Sequence, residues 1–210
     1  MTDDDNSRFW PTWIRSTQWL NELLQVSLKP TKGRTTLLGT VGRLEHVSEV
    51  ICLGCGALSP DTTGSVHAYM DASPGCWQMY CELQDWKNSL IGDNGITTAQ
   101  HLVDTYAVQH ATNTDRRNRQ SVTVHLMSLC ASLEFDMSGR QLRAMIGIWT
   151  HRDHPLLRPR PNHFPITVRN VRDVTGDRRK KIVEGIAEST WSAWSVHHSE
   201  NRTLLVSYIA

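Results

Sequence analysis

Cys52-Leu53-Gly54-Cys55-Gly56 is the most informative stretch of the sequence, because it places two thiols three positions apart beside two glycines. Two cysteines with this spacing can wrap a tight turn and direct both thiolates to one metal ion. The glycines give the backbone the conformational freedom that such a turn requires. The stretch therefore predicts half of a metal site, and a closed structural zinc site needs four ligands.

The segment from Ile51 to Trp77, which is rich in loop-forming residues, contains two candidates for the missing ligands. These are His67 and Cys76, and the Pro74-Gly75 pair ahead of Cys76 indicates a second turn that could present a thiolate. Cys81 is the alternative to Cys76, although it falls on a predicted helix. We therefore predict a tetrahedral zinc site with the ligands Cys52, Cys55, His67 and Cys76.

The alternative interpretation is that these cysteines are small core residues, since free cysteine is among the most buried residue types. The flanking glycines favour a metal site for Cys52 and Cys55. Cys130 is different, because it lies on the apolar face of a predicted helix with Leu126 and Leu133. That pattern is typical of a buried thiol without a metal.

Composition and charge limit the compartment and the partners that we expect. The 210 residues include 22 basic and 21 acidic side chains, a balance that argues against nucleic acid as a partner. No apolar run approaches the roughly 20 residues of a membrane span, and the acidic N-terminus differs from a secretory signal. The five cysteines are an odd number that fits reduced thiols and a metal better than a disulfide framework. We expect a cytoplasmic protein that is not associated with a membrane.

The chain is expected to consist of an N-terminal extension, residues 1–45, and a domain over residues 46–210. The extension contains a predicted helix that begins near Pro11 and ends at Pro30. The prolines between His151 and Pro165 exclude a helix from that segment. Helices are predicted in the domain at 78–90, 97–111, 118–136 and 178–199. The predicted fold class is mainly α, a compact helical bundle with a Cys/His metal-binding loop and an added N-terminal helix.

Three of the predicted helices carry a histidine on or beside an apolar face. Helical bundles build metal and catalytic sites from such facing side chains, and three imidazoles with an open coordination position would activate water. Tyr106 would donate a hydrogen bond in such a site, and Asp104 or Glu134 could orient a histidine. The predicted catalytic residues are His110, His125, His198 and Tyr106.

A structural role is the competing interpretation of these histidines. The helix dipole alone favours a histidine in the last turn of a helix, which accounts for His198 without any function. Buried histidines are also often hydrogen-bonded core residues. A catalytic pocket would require that the imidazole rings of His110, His125 and His198 lie close together.

Seven blocks of the chain carry a resemblance to a known family. They are Cys52-Leu-Gly-Cys-Gly-Ala57, His67-Ala-Tyr-Met70, Ser73-Pro-Gly-Cys-Trp77, Val103–His110, Arg119–Leu129, Thr167–Val171 and Ser189–His198. These blocks are similar to an uncharacterised bacterial family, the domain of unknown function 5946. The resemblance covers about residues 50–200 and leaves residues 1–45 outside. The family usually has proline where this chain has Leu53. The resemblance implies a start like a zinc knuckle, a helical remainder and a C-terminal helix rich in tryptophan and histidine, but no reaction.

Two functions are therefore predicted for this zinc-binding protein. In the first, the protein is a metal-dependent enzyme that performs hydrolysis or group transfer on a small-molecule substrate, with the cysteine-bound zinc in a structural role. In the second, it is a non-enzymatic binding or regulatory module that zinc stabilises. The sequence contains no nucleophile elbow, no paired carboxylates and no dinucleotide fingerprint.

Overall fold

The computed structural model describes residues 48–112, 115–152, 154, 160–161 and 163–209. The predicted extension at residues 1–45, including its helix, lies outside these residues. The described part begins with strand β1 (Glu49–Ile51), which pairs with β2 (Leu58–Pro60) as an antiparallel hairpin. Val50 lies opposite Ser59 in this hairpin, and the two cysteines nearest in sequence occupy its turn.

All regular secondary structure in the remainder of the described chain is helical, as predicted. None of its helices is both long and apolar enough to cross a membrane. A 3-10 turn, Ser195–His197, separates the last two α-helices. The α-helices are α1 (Pro74–Cys81), α2 (Gln84–Asn88), α3 (Gly92–Gln109), α4 (Arg116–Phe135), α5 (Gly139–Trp149), α6 (Val168–Arg172), α7 (Gly176–Ala193) and α8 (His198–Ile209).

The structure confirms the two central helices of the prediction, α3 and α4, with shifted ends. The predicted helix 78–90 is instead two short helices, α1 and α2. The predicted helix 178–199 was wrong at its C-terminal end, because α7 ends at Ala193 and His198 begins α8. Apolar side chains keep a helical spacing across this break, so the sequence pattern does not reveal it.

Helix α5 was not predicted, although the sequence contains a signal for its start. The Ser138 hydroxyl accepts a hydrogen bond from the backbone of Gln141, and the Gln141 side chain accepts one from the Ser138 N–H at 2.8 Å. This reciprocal capping box is a recognised start of a helix. Asp136, in the left-handed region at φ 52°, ends α4 just before it.

Helix α3 is the centre of the bundle, because it packs against α4, α5 and α7. Helix α1 packs against β2 and α6 and thereby attaches the hairpin to the bundle. Each fully buried aliphatic side chain contributes about 1.5–3 kcal/mol to folding. The C-terminal end of α3 is therefore held in a fixed position. The largest fully buried side chains include Leu102, Tyr106, Leu126, Leu129, Leu142, Trp149, Ile186 and Trp194.

Two glycines of α5 provide a test of the α3–α5 contact. A Cβ atom on Gly139 would lie 2.4 Å from the backbone nitrogen of Thr97 and 2.7 Å from the carbonyl carbon of Ile96, whereas one on Gly147 would meet nothing within 4 Å. We expect Gly139→Ala to lower the free energy of unfolding by about 1–3 kcal/mol, because the two backbones would have to separate. Gly147→Ala should raise it by about 0.5–1 kcal/mol, as alanine normally does inside a helix.

Urea denaturation of both variants and of the parent protein measures these changes. A Gly139→Ala variant that is as stable as the Gly147→Ala variant would contradict the close approach of α3 and α5.

Candidate metal centre

Four side chains from three separate parts of the fold converge at one end of the bundle. Cys52 and Cys55 come from the hairpin turn, Cys76 from the first turn of α1, and His110 from the residue after α3. Their ligand atoms all lie within 4.8 Å of one another, and all four residues are buried. Within the described residues, this cysteine–histidine cluster is the one group of three or more such side chains that could hold a metal ion.

The spacing of the cluster matches a four-coordinate metal site. The sulfurs of Cys55 and Cys76 are 3.7 Å apart, and the Cys76 sulfur lies 3.2 Å from Nε2 of His110. A tetrahedral ion with metal–sulfur bonds of about 2.3 Å and metal–nitrogen bonds of about 2.0–2.1 Å separates two sulfurs by about 3.8 Å and a sulfur and a nitrogen by about 3.6 Å. The four side chains therefore enclose a space of the right size for a metal ion.

Backbone hydrogen bonds of the hairpin turn place Cys52 and Cys55 on the same side. The N–H of Cys52 donates to the carbonyl of Ala57 at 2.8 Å, and the N–H of Gly56 donates to the carbonyl of Cys52 at 2.9 Å. Gly56 has a φ of 78°, in the left-handed region that favours glycine. The glycine at this position thus reverses the chain directly after the second thiol.

Cys76 is positioned by the cap of helix α1. The hydroxyl of Ser73 accepts a hydrogen bond from the backbone N–H of Cys76 at 3.2 Å and pairs with the hydroxyl of Ser59, on β2, at 2.8 Å. The backbone N–H of Ser73 also donates to the sulfur of Cys52 at 3.4 Å. These contacts join the hairpin to α1 and fix the position of the Cys76 thiol.

The His110 ring is held so that Nε2 faces the sulfurs. Its Nδ1 lies 2.7 Å from the backbone carbonyl of Tyr106, an acceptor, so the proton of the neutral ring is on Nδ1. Metal-bound histidines commonly make this hydrogen bond with their second nitrogen. The Tyr106 ring packs against the imidazole with centroids 4.1 Å apart, and its hydroxyl donates to the Cys76 sulfur at 3.9 Å.

The protonation states of the cluster's side chains depend on one another. Burial lowers the pKa of His110, but the hydrogen bonds and the charges of Cys52 and Cys55 outweigh it and raise the pKa to about 9. Hydrogen bonds from Cys55 and Cys76 lower the pKa of Cys52, whereas those with Cys52 and Cys55 raise the pKa of Cys76. Three thiols in contact cannot all ionise without a cation, and metal binding would release the protons that they retain.

The structure brings three of the four predicted zinc ligands together and puts His110, not His67, beside them. The His67 ring lies against the rings of Tyr69 and Trp77, with centroid distances of 5.5 Å and 5.4 Å. Cys81 is the last residue of α1 and is not part of the cluster. The sequence signal for His110 is its position in the last turn of the long helix predicted over 97–111, where a side chain can reach past the end of the helix to a loop.

The four residues predicted to be catalytic have different partners. His110 is a member of the cysteine–histidine cluster, and Tyr106 packs against its ring. Nδ1 of His125 is 2.7 Å from a carboxylate oxygen of Asp104. Nε2 of His198 lies 2.8 Å from the backbone carbonyl of Trp191, and the two rings stack at 3.8 Å. The cysteine–histidine cluster includes neither His125 nor His198.

Comparison with known protein families identifies the chain. The sequence model of a family of unknown function (DUF5946) matches residues 50–195. The chain belongs to this family. The matched DUF5946 region contains all four members of the cysteine–histidine cluster, and it confirms the resemblance noted in the sequence. No curated protein and no solved structure matches the chain.

Gly54 tests the contact between the hairpin turn and His110. A Cβ atom at this position would lie 2.3 Å from the backbone oxygen of Asp71 and 2.7 Å from Cδ2 of His110. We expect Gly54→Ala to weaken Zn²⁺ binding by about 10–100-fold, the usual cost of disturbing the surroundings of a metal ligand. Gly64→Ala is the matched control, because a Cβ atom there would meet nothing within 4 Å.

Competition with a colorimetric chelator measures both affinities. Equal Zn²⁺ affinities for Gly54→Ala and Gly64→Ala would show that the turn does not have to approach His110 closely.

Proposed function

We propose that this protein binds one zinc ion through Cys52, Cys55, Cys76 and His110, and that the ion has a structural role. The observation that carries this proposal is the burial of four ligand atoms within 4.8 Å of one another. Structural zinc sites have four protein ligands, whereas catalytic sites keep one position open for water or substrate. The cysteine–histidine cluster supplies all four.

The chemistry of the donors favours zinc over other metals. Thiolates are soft ligands and imidazole is intermediate, and the combination of three cysteines with one histidine is a common structural zinc set. Magnesium and calcium prefer oxygen ligands, which the cluster does not offer. The second nitrogen of His110 already donates to a backbone carbonyl, as a zinc-bound imidazole requires.

The proposed ion would stabilise a part of the fold that has little apolar core. The strands β1 and β2 contain three residues each, and an isolated two-stranded hairpin is at best marginally stable in water. Zinc would connect this hairpin to α1 and to the end of α3. The free energy of metal binding would then contribute directly to the free energy of folding.

The hairpin surface favours a binding module as the function that this zinc supports. Ile51, Leu53 and Leu58 are exposed on or beside the strands, and Leu53 in the turn is 79 % exposed. Exposed apolar side chains that lie near one another are typical of interaction surfaces. Metal-dependent hydrolysis or group transfer at the cysteine–histidine cluster is the weaker candidate, because four protein ligands leave no position for substrate.

Thiolate ligands also suggest where the protein works. The structure contains five free cysteines and no disulfide within its described residues. A zinc site with three thiolates requires reduced cysteines, and cytosolic glutathione and thioredoxin maintain them. We therefore propose a cytoplasmic location.

Metal analysis of the purified protein tests the proposed function. We expect about one zinc per chain in the parent protein and a large loss of zinc in Cys55→Ser. The variant should melt at least about 5 °C lower, since each kcal/mol of lost stability shifts the Tm by about 2–4 °C in a chain of this length. Cys130→Ser is the matched control, because Cys130 is a buried thiol outside the cluster.

Elemental analysis and thermal unfolding, with and without a chelator, give the two readouts. A parent protein that is free of metal and whose melting curve does not change on adding zinc would end the proposal. So would a Cys55→Ser variant that retains the zinc content of Cys130→Ser.

A further inference from the structure

A buried lysine, Lys87, lies on the short helix α2 and is not part of the cysteine–histidine cluster. It exposes only 6 % of its surface. Lysine usually packs its carbon stem against apolar neighbours and keeps the charged amine in water, so burial to this degree is unusual. The backbone N–H of Lys87 donates to the carbonyl of Leu83 at 2.9 Å, and Leu83 is itself buried. The helix thus directs the Lys87 side chain into the protein.

The amine of Lys87 has no partner that would compensate its charge. Among the described residues, its side chain makes neither an ion pair nor a hydrogen bond. A buried charge without a partner is costly, and a lysine in that situation loses its proton more readily. Nζ of Lys87 is also not one of the completely buried nitrogens that lack a partner in the described part of the chain. It therefore touches solvent through a narrow opening, where a small molecule can reach it.

The surroundings of Lys87 favour the neutral form of its amine. Burial is the main reason that its pKa is lowered to about 8, the charge of Arg143 on α5 adds to this effect, and the charge of Cys81 at the end of α1 opposes it. An ordinary lysine has a pKa of about 10.4. At pH 7 the neutral amine is therefore about 200 times more abundant at Lys87 than at such a lysine. The neutral amine is the nucleophilic form, because it has a free lone pair.

We propose that Lys87 is a site of covalent modification by small, activated acyl compounds such as thioesters. The burial of the side chain, its missing partner and the narrow opening at Nζ carry this proposal. The opening limits the size of the acyl compound. The product is an amide, which has no charge, so acylation removes the charge that burial disfavours. The modification goes beyond the structural zinc and does not use the metal.

The proposed reaction is the aminolysis of a thioester. The lone pair of Nζ forms a bond to the carbonyl carbon, and the π electrons move to the carbonyl oxygen. When the C=O bond re-forms, the C–S bond breaks and the sulfur leaves as a thiolate. The nitrogen then releases one proton, and the thiolate takes up a proton. Lys87 and the thioester thus give an amide and a thiol.

Competitive labelling with a trace of acetic anhydride tests the amine in the protein as purified. Mass spectrometry of peptides gives the rate at each lysine, and the exposed Lys180 and Lys181 of α7 are controls within the same molecule. We expect Lys87 to react at least about tenfold faster than either control at pH 7, because its larger share of neutral amine outweighs its poorer access. The rate at Lys87 should rise with pH and level off above about pH 8.

The small neutral thioester N,S-diacetylcysteamine tests the proposed class of acyl compound under the same native conditions. It should also acetylate Lys87 at least about tenfold faster than Lys180 and Lys181. Labelling in guanidinium chloride, at a concentration that unfolds the protein, separates the effect of the fold from that of the local sequence. There we expect all three lysines to react at the same rate.

These rates are measured on the parent protein, so no variant has to fold. The proposal is overturned if either reagent acetylates Lys87 in the folded protein no faster than Lys180 and Lys181. It is equally overturned if Lys87 remains the fastest lysine in guanidinium chloride, because its reactivity would then not come from burial.

Discussion

The convergence of three cysteine sulfurs on the imidazole of His110 is the contact on which the rest of this structure depends. His110 follows the central helix α3, whose packing against three other helices fixes its position. The hairpin has too little apolar core to fold around the sulfurs by itself, so its position depends on the contact with His110 at the end of α3. Gly54 is required because no side chain fits between the turn and the His110 ring. A cation at this point would neutralise the thiolates and join the hairpin to the bundle.

Helix α3 also connects the candidate metal centre to the buried pair of Asp104 and His125. It carries Asp104 in its interior and His110 just after its end, so one rigid element positions both groups. Stacked rings from α1 and α3 continue the connection, with Tyr80 against Tyr106 at 4.1 Å and Trp77 against Tyr80 at 5.4 Å. The Tyr106 ring in turn packs against the imidazole of His110 at 4.1 Å, so the proposed zinc would lie at one end of a row of packed rings.

The sequence predicts those features of the structure that short-range chemistry determines. The Cys52–Cys55 spacing, the turn before Cys76 and the apolar periodicity of α3 and α4 each act within a few residues. The choice between His67 and His110 depends on where α3 ends in space, and proximity in sequence favoured His67. The break after Ala193 was missed because apolar side chains keep a helical spacing across it, so the sequence pattern stays continuous where the helix ends.

The Zn²⁺ affinity of His110→Ala, measured beside that of His67→Ala, tests the central claim most directly. Changes to the surroundings of a metal ligand weaken metal binding by about 10–100-fold. Loss of the ligand itself should weaken it further. We therefore predict a loss of more than about 100-fold for His110→Ala, with His67→Ala close to the parent protein. Parent-like affinity in His110→Ala, together with a large loss in His67→Ala, would contradict the account and return His67 to the fourth position.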